Sequence, residues 1–287
     1  MSGTLYVIAT PIGNKDDITV RAKQILSEVD IIAAEDTRTT QNLLNLYGIS
    51  TRTISNHKFN ELRQKDLLID LLLEGNNVAI VSDAGTPCIS DPGFVIIKAA
   101  IEKDIRVIGI CGANAAITAL SISGFYCSSF SFFGFLPRKN GEISGVLEKA
   151  KNDGTRVGVF YESPKRIKNT ISIISQILPD ANICLCNDLT KYYERIYRGS
   201  PEKVLNDLKN NPSAEKGEYT LVLEFPRWIP KEVTSEGKIS SEALIVDYMI
   251  KHNVSAKEAI SLLAGKDISK KELYAASLNV KNLFLEH

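Results

Sequence analysis

The stretch Val81–Gly93, VSDAGTPCISDPG, joins a short apolar run to a helical pattern. The run before it, Val78–Val81, is typical of a buried strand, and Phe94–Ile101 carries apolar residues at helical spacing. The connection holds two Asp, two Ser, two Gly, two Pro and one Thr, although such connections usually need only about two to six residues. Loops at the carboxyl ends of strands in open α/β sheets bind ligands. The stretch therefore predicts a binding loop, with a capped surface turn as the alternative.

The same alternation of strand and helix fills the first half of the chain. Further strands are predicted at Leu5–Ala9, Ile31–Ala34 and Ile105–Ile110. Helical spacing occurs at Val20–Val29, Thr39–Tyr47 and Leu62–Leu73. This order predicts βαβ units and a parallel sheet.

The second half predicts another α/β domain. Strand patterns occur at Phe130–Phe135, Arg156–Tyr161, Ile183–Cys186, Tyr192–Tyr197 and Tyr219–Phe225. Helical patterns occur at 142–151, 164–178 and 201–209. Because the third and fourth strands follow each other with little helix between them, the sheet is expected to be mixed.

The end of the chain predicts a small helical extension. Pro226–Pro230 reads as a linker, and three short helical patterns follow at about 240–251, 255–264 and 269–282. Ser255 and Ser269 stand where helix N-caps belong, each with a Glu three residues on. The pattern fits a helix-turn-helix module or a plain helical tail equally well. The last three residues, Leu285–His287, resemble the start of an affinity tag.

We therefore predict three parts. The first is an α/β domain at 1–122 that carries cofactor and catalytic residues. The second is an α/β domain with a mixed sheet at 123–229. The third is the helical extension at 230–287. A boundary near Gly124 is favoured because the chain loosens there.

Composition narrows the class of protein. The formal net charge is zero, so any nucleic-acid contact needs a local basic patch. No run approaches the ~18 apolar residues of a membrane span, and the N-terminus lacks signal-peptide features. Five cysteines without zinc spacing favour a reducing compartment, so we expect a cytoplasmic protein with no membrane partner. Three histidines, one of them in the tag-like end, exclude a His-rich metal site, and no metal is expected.

Polar loops follow four strands of the first domain. Besides the opening stretch they are Thr10–Asn14, Glu35–Arg38 and Cys111–Ala116, and parallel strands would bring all four to one edge. None is a Walker A or G-x-G-x-x-G loop, which disfavours simple nucleotide binding. Glu35–Arg38 is otherwise explained as an ordinary helix start, and His57 as a surface residue.

The stretch 137–170 is locally basic. It holds eight Lys or Arg residues against four Glu or Asp, with Phe135, Phe160 and Tyr161 interleaved. Such a stretch predicts a phosphate-binding face, although charge runs are often only solvated helix sides.

Together the loops resemble the signature blocks of the ribosomal small-subunit RNA methyltransferase I family, which has the tetrapyrrole methylase fold. The blocks are Thr10–Asn14, Ala34–Arg38, Val81–Pro87 with Asp91–Gly93, Ala115–Leu120, Gly134–Pro137 and Phe160–Ser163. They occur in order over residues 4 to 225. The chain departs from the family at Cys111–Asn114, where Pro-Gly-Pro is usual, and at Asn187–Lys191, where Arg-Glu-Leu-Thr-Lys is usual.

The resemblance implies a cofactor, a substrate and an assembly. The cofactor is S-adenosylmethionine, and the substrate is the ribose 2′-hydroxyl of a cytidine in 16S RNA of the small ribosomal subunit. The enzyme is expected to be a homodimer.

The resemblance and the chemistry of the residues together indicate site residues. Cofactor contacts are expected from Pro11, Asp83, Gly85, Thr86, Ala115, Ala116 and Phe160. Catalytic roles are expected from Glu35, Asp36, Arg38 and His57. RNA contacts are expected from Arg138, Lys139, Lys165, Arg166 and Lys191.

The proton acceptor stays open at this point. A ribose hydroxyl is a poor nucleophile unless a base or a nearby cation assists it. Glu35, Asp36 and His57 are candidates, with Arg38 or Lys165 lowering the pKa of the hydroxyl. Two alternative functions stay open. One is a methyltransferase acting on a tetrapyrrole, and the other is a non-catalytic RNA- or ribosome-binding relative.

Overall fold

The structure, a computed structural model, describes residues 2–226, 240–265 and 268–283. Residues 2–226 belong to one compact unit and residues 240–283 to a second. Most of the predicted linker, 227–230, and the tag-like end lie outside the described residues. In the described ranges no helix is both long and apolar enough to cross a membrane.

The first sheet is entirely parallel, as the alternation of strands and helices predicted. Its strands are β1 (Thr4–Ile8), β2 (Ile31–Ala34), β3 (Thr53–Ser55), β4 (Val78–Val81) and β5 (Arg106–Ile110), in the order β3-β2-β4-β1-β5. Its helices are α1 (Val20–Glu28), α2 (Thr37–Leu46), α3 (Glu61–Leu73), α4 (Phe94–Glu102) and α5 (Ala115–Ser121), with a 3-10 turn at Lys15–Asp17.

Strand alternation builds a core on each face of this sheet. Ile32 and Ala79 pack with α1 on one face, whereas Ala33 and Ile80 pack with α3 and α4 on the other. Because consecutive side chains of a strand point to opposite faces, all-apolar strands must be covered on both sides. The result is a three-layer α/β/α domain whose strands end at one polar edge.

Two details of this domain differ from the sequence prediction. Strand β3 was missed because it has three residues, all only partly buried, at the sheet margin. The fourth polar loop was expected to run through Ala116, but α5 begins at Ala115. The Asn114 side chain caps this helix by accepting a hydrogen bond from the Ile117 N–H at 3.1 Å.

The second sheet is mixed, which confirms that prediction. Its strands are β6 (Ser131–Phe135), β7 (Val157–Glu162), β8 (Asn182–Asn187), β9 (Arg195–Gly199) and β10 (Tyr219–Glu224), in the order β6-β7-β10-β8-β9. Only β6 and β7 pair in parallel. The helices beside it are α6 (Asn140–Asn152), α7 (Ile167–Ile177) and α8 (Pro201–Lys209).

The strand predicted at Tyr192–Tyr197 is displaced. Strand β9 starts at Arg195, and Tyr192 and Tyr193 lie in a preceding turn with their rings exposed. The turn is fixed by a positive φ of 65° at Thr190 and by the Thr190 N–H, which donates to the Glu194 carboxylate at 2.6 Å. Aromatic residues are typical of strands, which explains the prediction, but the geometry of the turn excludes a strand at Tyr192 and Tyr193.

The described residues of the second unit form three helices, near the predicted positions. They are α9 (Ser241–His252), α10 (Ala256–Leu263) and α11 (Lys270–Leu283). Ser255 and Glu258 form the predicted capping box, and the Ser269 hydroxyl accepts from the Glu272 N–H at 3.2 Å. A small core that includes Ile245, Ile260 and Leu273 holds these helices together.

Candidate active site

A cleft of about 430 Å³ lies where the polar edge of the first sheet faces the second sheet. Loops after β1, β2, β4 and β5 form one wall, and residues of β6, β7 and β10 form the other. Five of the lining residues are acidic, namely Glu35, Asp83, Asp91, Glu162 and Glu218. None of the described lining residues is Lys, Arg or His. The cleft therefore favours a ligand that carries positive charge.

Close backbone approaches hold the two walls together. A Cβ added at Gly13 would lie 2.6 to 2.8 Å from atoms of Leu189, Thr190 and Lys191, so only glycine fits there. The Asn14 N–H next to it donates to the Thr190 hydroxyl at 2.9 Å. The glycine of the first polar loop thus allows the first domain to dock against the second.

The opening stretch now has a physical explanation. Gly85, Cys88, Ser90 and Gly93 all have positive φ, so the loop turns sharply several times between β4 and α4. Gly85 pairs with Thr10 through two backbone hydrogen bonds, which ties this loop to the one after β1. Turn residues were needed because the loop must return repeatedly to the cleft wall.

Glu35 and Asp83 hold their two loops in register. The Glu35 carboxylate accepts from the Asp83 N–H at 3.3 Å, and the Asp83 carboxylate accepts from the Asp36 N–H at 3.0 Å. Burial is the main cause that raises the pKa of each carboxyl group above its ordinary value. Both acids therefore line the cleft as fixed, partly desolvated groups.

Asp36 has a structural role. It caps α2 by accepting from the Arg38 N–H at 2.8 Å, and the Arg38 guanidinium grips both of its oxygens at 3.1 and 2.6 Å. These hydrogen bonds from Arg38 lower the pKa of Asp36 to about 2. Such a carboxylate is a weak proton acceptor, and neither residue lines the cleft.

Asp91 is one of the lining carboxylates that the predicted site left out. It lies in the cleft wall between Ser90 and Pro92, within the opening stretch. Burial, reinforced by the negative charges of Glu35 and Asp83, raises its pKa to about 7. The signal for it was present in the sequence, since this Asp belongs to the same turn-rich loop as Asp83.

The comparisons with known proteins give the family. Residues 4–204 match the family model described as Tetrapyrrole (Corrin/Porphyrin) Methylases. The chain is 42% identical to Ribosomal RNA small subunit methyltransferase I of Halalkalibacterium halodurans, over 95% of this chain and 93% of that one. It is 39% identical to the protein of that name from Bacillus subtilis, over 96% and 94%.

The chain belongs to the ribosomal RNA small subunit methyltransferase I family. Solved structures agree on the fold. The methyltransferase CobJ superposes with a TM-score of 0.57 at 16% identity, over 78% of this chain and 95% of that one. Uroporphyrin-III-C-methyltransferase from Thermus thermophilus gives 0.51 at 18%, over 77% and 94%. These likenesses show the tetrapyrrole methylase fold, as the sequence blocks predicted.

In this methyltransferase the residues predicted to bind the cofactor divide into two groups. Asp83, Gly85, Thr86 and Ala115 line the cleft. The other three are buried and do not reach the lining; they are Pro11, Ala116 and Phe160.

Phe160 shows how the alternation of β7 decides which side chain faces the cleft. Its ring is fully buried in the core and stacks on Phe133 at 4.7 Å. Its neighbour Tyr161 points the other way and lines the cleft, where burial raises the pKa of the phenol. Tyr161 is thus a lining residue that the sequence prediction missed by one position.

Among the residues predicted to be catalytic, only Glu35 lines the cleft of this methyltransferase. His57 starts a tight turn, in which its N–H donates to Asn60 at 2.7 Å and its Nδ1 accepts from the Phe59 N–H at 3.2 Å. With Nδ1 used by the turn, His57 has a local structural role.

The cations predicted to contact RNA fall into two groups, those that are exposed and those that carboxylates of the protein bind. Arg138, Lys139 and Lys165 are exposed. Arg166 is held by the buried Glu162 at 3.2 Å and donates to the backbone carbonyls of Leu136 and Pro137.

Lys191 is likewise held by carboxylates of the protein. Its Nζ lies 2.8 Å from the carboxylates of both Asp188 and Glu218. At the neighbouring departure from the family pattern, the Asn187 amide donates to two backbone carbonyls at 3.3 Å. Lys191 and Asn187 therefore fix the chain around the cleft wall that carries Glu218.

Proposed function

We propose that this methyltransferase transfers a methyl group from S-adenosylmethionine to the ribose 2′-hydroxyl of a cytidine in 16S ribosomal RNA. Support comes from relatives at about 40% identity over nearly the whole chain that carry the name Ribosomal RNA small subunit methyltransferase I. The resemblance of the sequence blocks to this family implies that the methylated atom is the ribose 2′-oxygen and that the nucleotide is a cytidine. The observation that carries the proposal is a cleft lined by carboxylates, with exposed cations on segments that lead away from its lining.

The cleft fits the cofactor in charge and in size. When bound, S-adenosylmethionine supplies an activated methyl group on a positively charged sulfur. Glu35, Asp83 and Asp91 offer negative charge to this cation and to the ammonium group of the cofactor. A volume of about 430 Å³ lies within the range of small-molecule sites. We therefore assign cofactor binding to Glu35 and Asp83 together with the lining residues Gly85, Thr86 and Ala115.

The cleft residues continue into a surface suited to single-stranded RNA. Phe135 lines the cleft, yet its ring is 61% exposed and meets Tyr161 edge-on at 5.5 Å. Arg138 follows it by three positions, and Lys165 directly follows the lining residue Pro164. Exposed aromatic rings stack on unpaired bases, and cations hold the phosphates. This arrangement would draw a nucleotide toward the cleft while keeping its phosphate outside the acidic lining.

A methyl-transfer assay tests the proposal. The protein is incubated with cofactor labelled in its methyl group and with small ribosomal subunits that lack the modification. We expect label on a ribose oxygen of one cytidine, located by nuclease digestion and mass spectrometry. Label on a base, or no label although calorimetry shows bound cofactor, would contradict it. A parallel reaction with a uroporphyrinogen tests the tetrapyrrole alternative, and no cofactor binding would favour the non-catalytic one.

We propose further that the protein is a homodimer and works in the cytoplasm, where its substrate is assembled. Support for the dimer comes from apolar side chains of α3 and α4 that are more than half exposed, namely Leu62, Phe94 and Ile101. Apolar patches of this kind mark protein contacts. Light scattering should give twice the chain mass, and Phe94→Asp should shift it toward the monomer. Monomers in the wild type would rule out the dimer.

The predicted division at 1–122, 123–229 and 230–287 remains our proposal, with the last part adding phosphate contacts. The seven Lys and five acidic residues counted between 238 and 281 leave only a small net positive charge. A chain ending at residue 229 should keep cofactor affinity and show a flatter salt dependence of RNA binding, by about 0.7–0.9 in log–log slope per lost contact. An unchanged slope would show that the helices do not touch RNA.

A further inference from the structure

The carboxylate of Asp91 stands apart from the other acids of the cleft because nothing in the fold uses it. In the described part of the chain it receives no hydrogen bond and no cation neutralises it; burial and the charges of Glu35 and Asp83 alone act on it. Buried or half-buried carboxylates are usually paired. An unpaired one in a cleft wall needs a functional explanation.

The obvious structural role for Asp91 is already filled. It precedes α4 by three residues, so it could cap that helix, whose N-cap Gly93 has no side chain to do so. Instead the Glu61 carboxylate, reaching over from α3, accepts from the Gly93 N–H at 2.7 Å and from the Val95 N–H at 3.1 Å. Glu61 satisfies the helix start and leaves Asp91 free to face the cleft.

The backbone holds Asp91 in place without using its side chain. Cys88 and Ser90 have φ of 69° and 74°, a region that residues other than glycine rarely adopt. Such conformations persist only where surrounding structure fixes them. Glu61 fixes one end of the loop, and Ser90 packs against Gly134 of β6, where an added Cβ would lie 3.0 Å from the Ser90 hydroxyl. Asp91 therefore projects from a rigid segment that touches both walls.

The electrostatic surroundings of Asp91 suit proton transfer near neutral pH. The groups that face it are Glu35, Asp83, Tyr161 and Cys88. The tyrosine and the cysteine stay neutral at pH 7, since burial raises the pKa of both, that of Cys88 to about 11. Burial, followed by the negative charges of Glu35 and Asp83, raises the pKa of Asp91 to about 7. A general base is most effective when its pKa lies near the working pH.

We propose that Asp91 is the general base that accepts the proton of the substrate hydroxyl. This rests on the proposed ribose methylation. Asp91 takes the hydroxyl proton while the ribose oxygen forms a bond to the methyl carbon and the carbon–sulfur bond breaks, its electron pair remaining on sulfur. Asp91 then returns the proton to water. Glu35 and Asp83 are less suited, because each already accepts a backbone hydrogen bond from the other loop.

The first test is the isosteric Asp91→Asn, assayed for methyl transfer to unmodified small subunits. We expect the rate constant at saturating substrates to fall about 10²- to 10⁴-fold. Cofactor affinity by calorimetry should change by no more than about fivefold, as for the loss of one partly solvated charge. Asp180→Asn, which removes an exposed carboxylate before β8, is the matched control and should leave both values unchanged.

The pH profile separates a base from a positioning group. For the wild type, the rate should fall as pH decreases through the pKa of Asp91, and this acidic limb should be missing in Asp91→Asn. The midpoint should lie below about 7, because the charge of bound cofactor favours the carboxylate. Asp91→Glu, which keeps a carboxylate, should recover part of the rate and the acidic limb. If Asp91→Asn has a reduced rate but keeps the acidic limb of the wild-type pH profile, the assignment is overturned.

A direct titration needs no activity. A ¹³C NMR titration of side-chain carboxyls in the protein without cofactor should show one group with a midpoint near neutral pH that disappears in Asp91→Asn. If the wild type labels ribose but Asp91→Asn is equally active, this inference alone is wrong. Equal losses of cofactor affinity and rate would make Asp91 a cofactor ligand and also overturn it. If the wild type places no label on ribose, the proposed function fails and this inference falls with it.

Discussion

The loop after β2 and the loop after β4 both bring carboxylates to the same edge of the first sheet, and the fold treats them in opposite ways. After β2, Asp36 caps α2 and is bound by Arg38, and these hydrogen bonds lower its pKa to about 2. After β4, Asp91 is partly buried between two acids, and its pKa rises to about 7. Burial and partners therefore separate two residues that composition cannot tell apart.

The difference depends on which residue accepts hydrogen bonds from the first N–H groups of the helix that follows each loop. In the β2 loop the acid itself is the N-cap of α2. In the β4 loop Glu61 supplies the cap of α4 from another helix, so the local acid is released. A carboxylate committed to a helix start stabilises the fold, whereas a released one can bind or react.

After the rate loss expected for Asp91→Asn, the next largest effect is expected from replacing Asp83, the acid that links the two loops. Asp83→Ala removes a cleft carboxylate and should weaken cofactor binding about tenfold to a hundredfold, the usual range for a hydrogen bond to a charged group. Calorimetry measures it, with Asp36→Ala as the control expected to keep cofactor affinity. A steep fall in melting temperature with unchanged affinity would show that Asp83 is only scaffolding.

The stability of Asp91→Asn sharpens the comparison. The folded-state pKa of Asp91 lies above its ordinary value, so its charged form destabilises the fold above about pH 7 and has no effect below about pH 4. The variant should gain about 1–2 kcal/mol of unfolding free energy near pH 8, less than the full 1.4 kcal/mol per pKa unit because the group is partly solvated. Urea unfolding at both pH values tests this, and an equal gain at both would contradict it.

Asp36→Ala should lower the stability of the fold, and by less than Asp91→Asn raises it. The folded-state pKa of Asp36 lies below its ordinary value, so its stabilising contribution is present above about pH 4 and is lost as pH falls through about 2. We expect melting a few degrees lower at neutral pH, measured by calorimetry. Arg38→Ala should reproduce part of this loss, and an unaffected melting temperature in both would show that the cap contributes nothing.

The smallest effect is expected from replacing two cations, Lys165 and Lys191, which differ in the same way as the two acids. Lys165 is exposed, whereas Lys191 is held by two carboxylates. Lys165→Ala should flatten the salt dependence of RNA binding by about 0.7–0.9 in log–log slope, and Lys191→Ala should not. Filter binding at several salt concentrations distinguishes them. A flatter slope for Lys191→Ala would mean that this pair opens on RNA.

The sequence by itself determined the layers and the edge at which the site lies. All-apolar runs such as Ile31–Ala34 indicate strands covered on both faces, and helical spacing between them favours parallel connections. These are local patterns, so they were readable without the fold. The turn residues of Val81–Gly93 likewise marked the cleft wall, and four of the seven residues predicted to bind the cofactor line the cleft.

Only the tertiary structure decided which polar residues of that edge are free. The release of Asp91 depends on Glu61, 30 positions earlier in the chain, and the confinement of Lys191 depends on Glu218, 27 positions later. The choice between Phe160 and Tyr161 depends on which face of β7 meets the core. Hydrogen bonds, ion pairs and burial of this kind join distant parts of the chain, and a pKa follows from them rather than from the residue type.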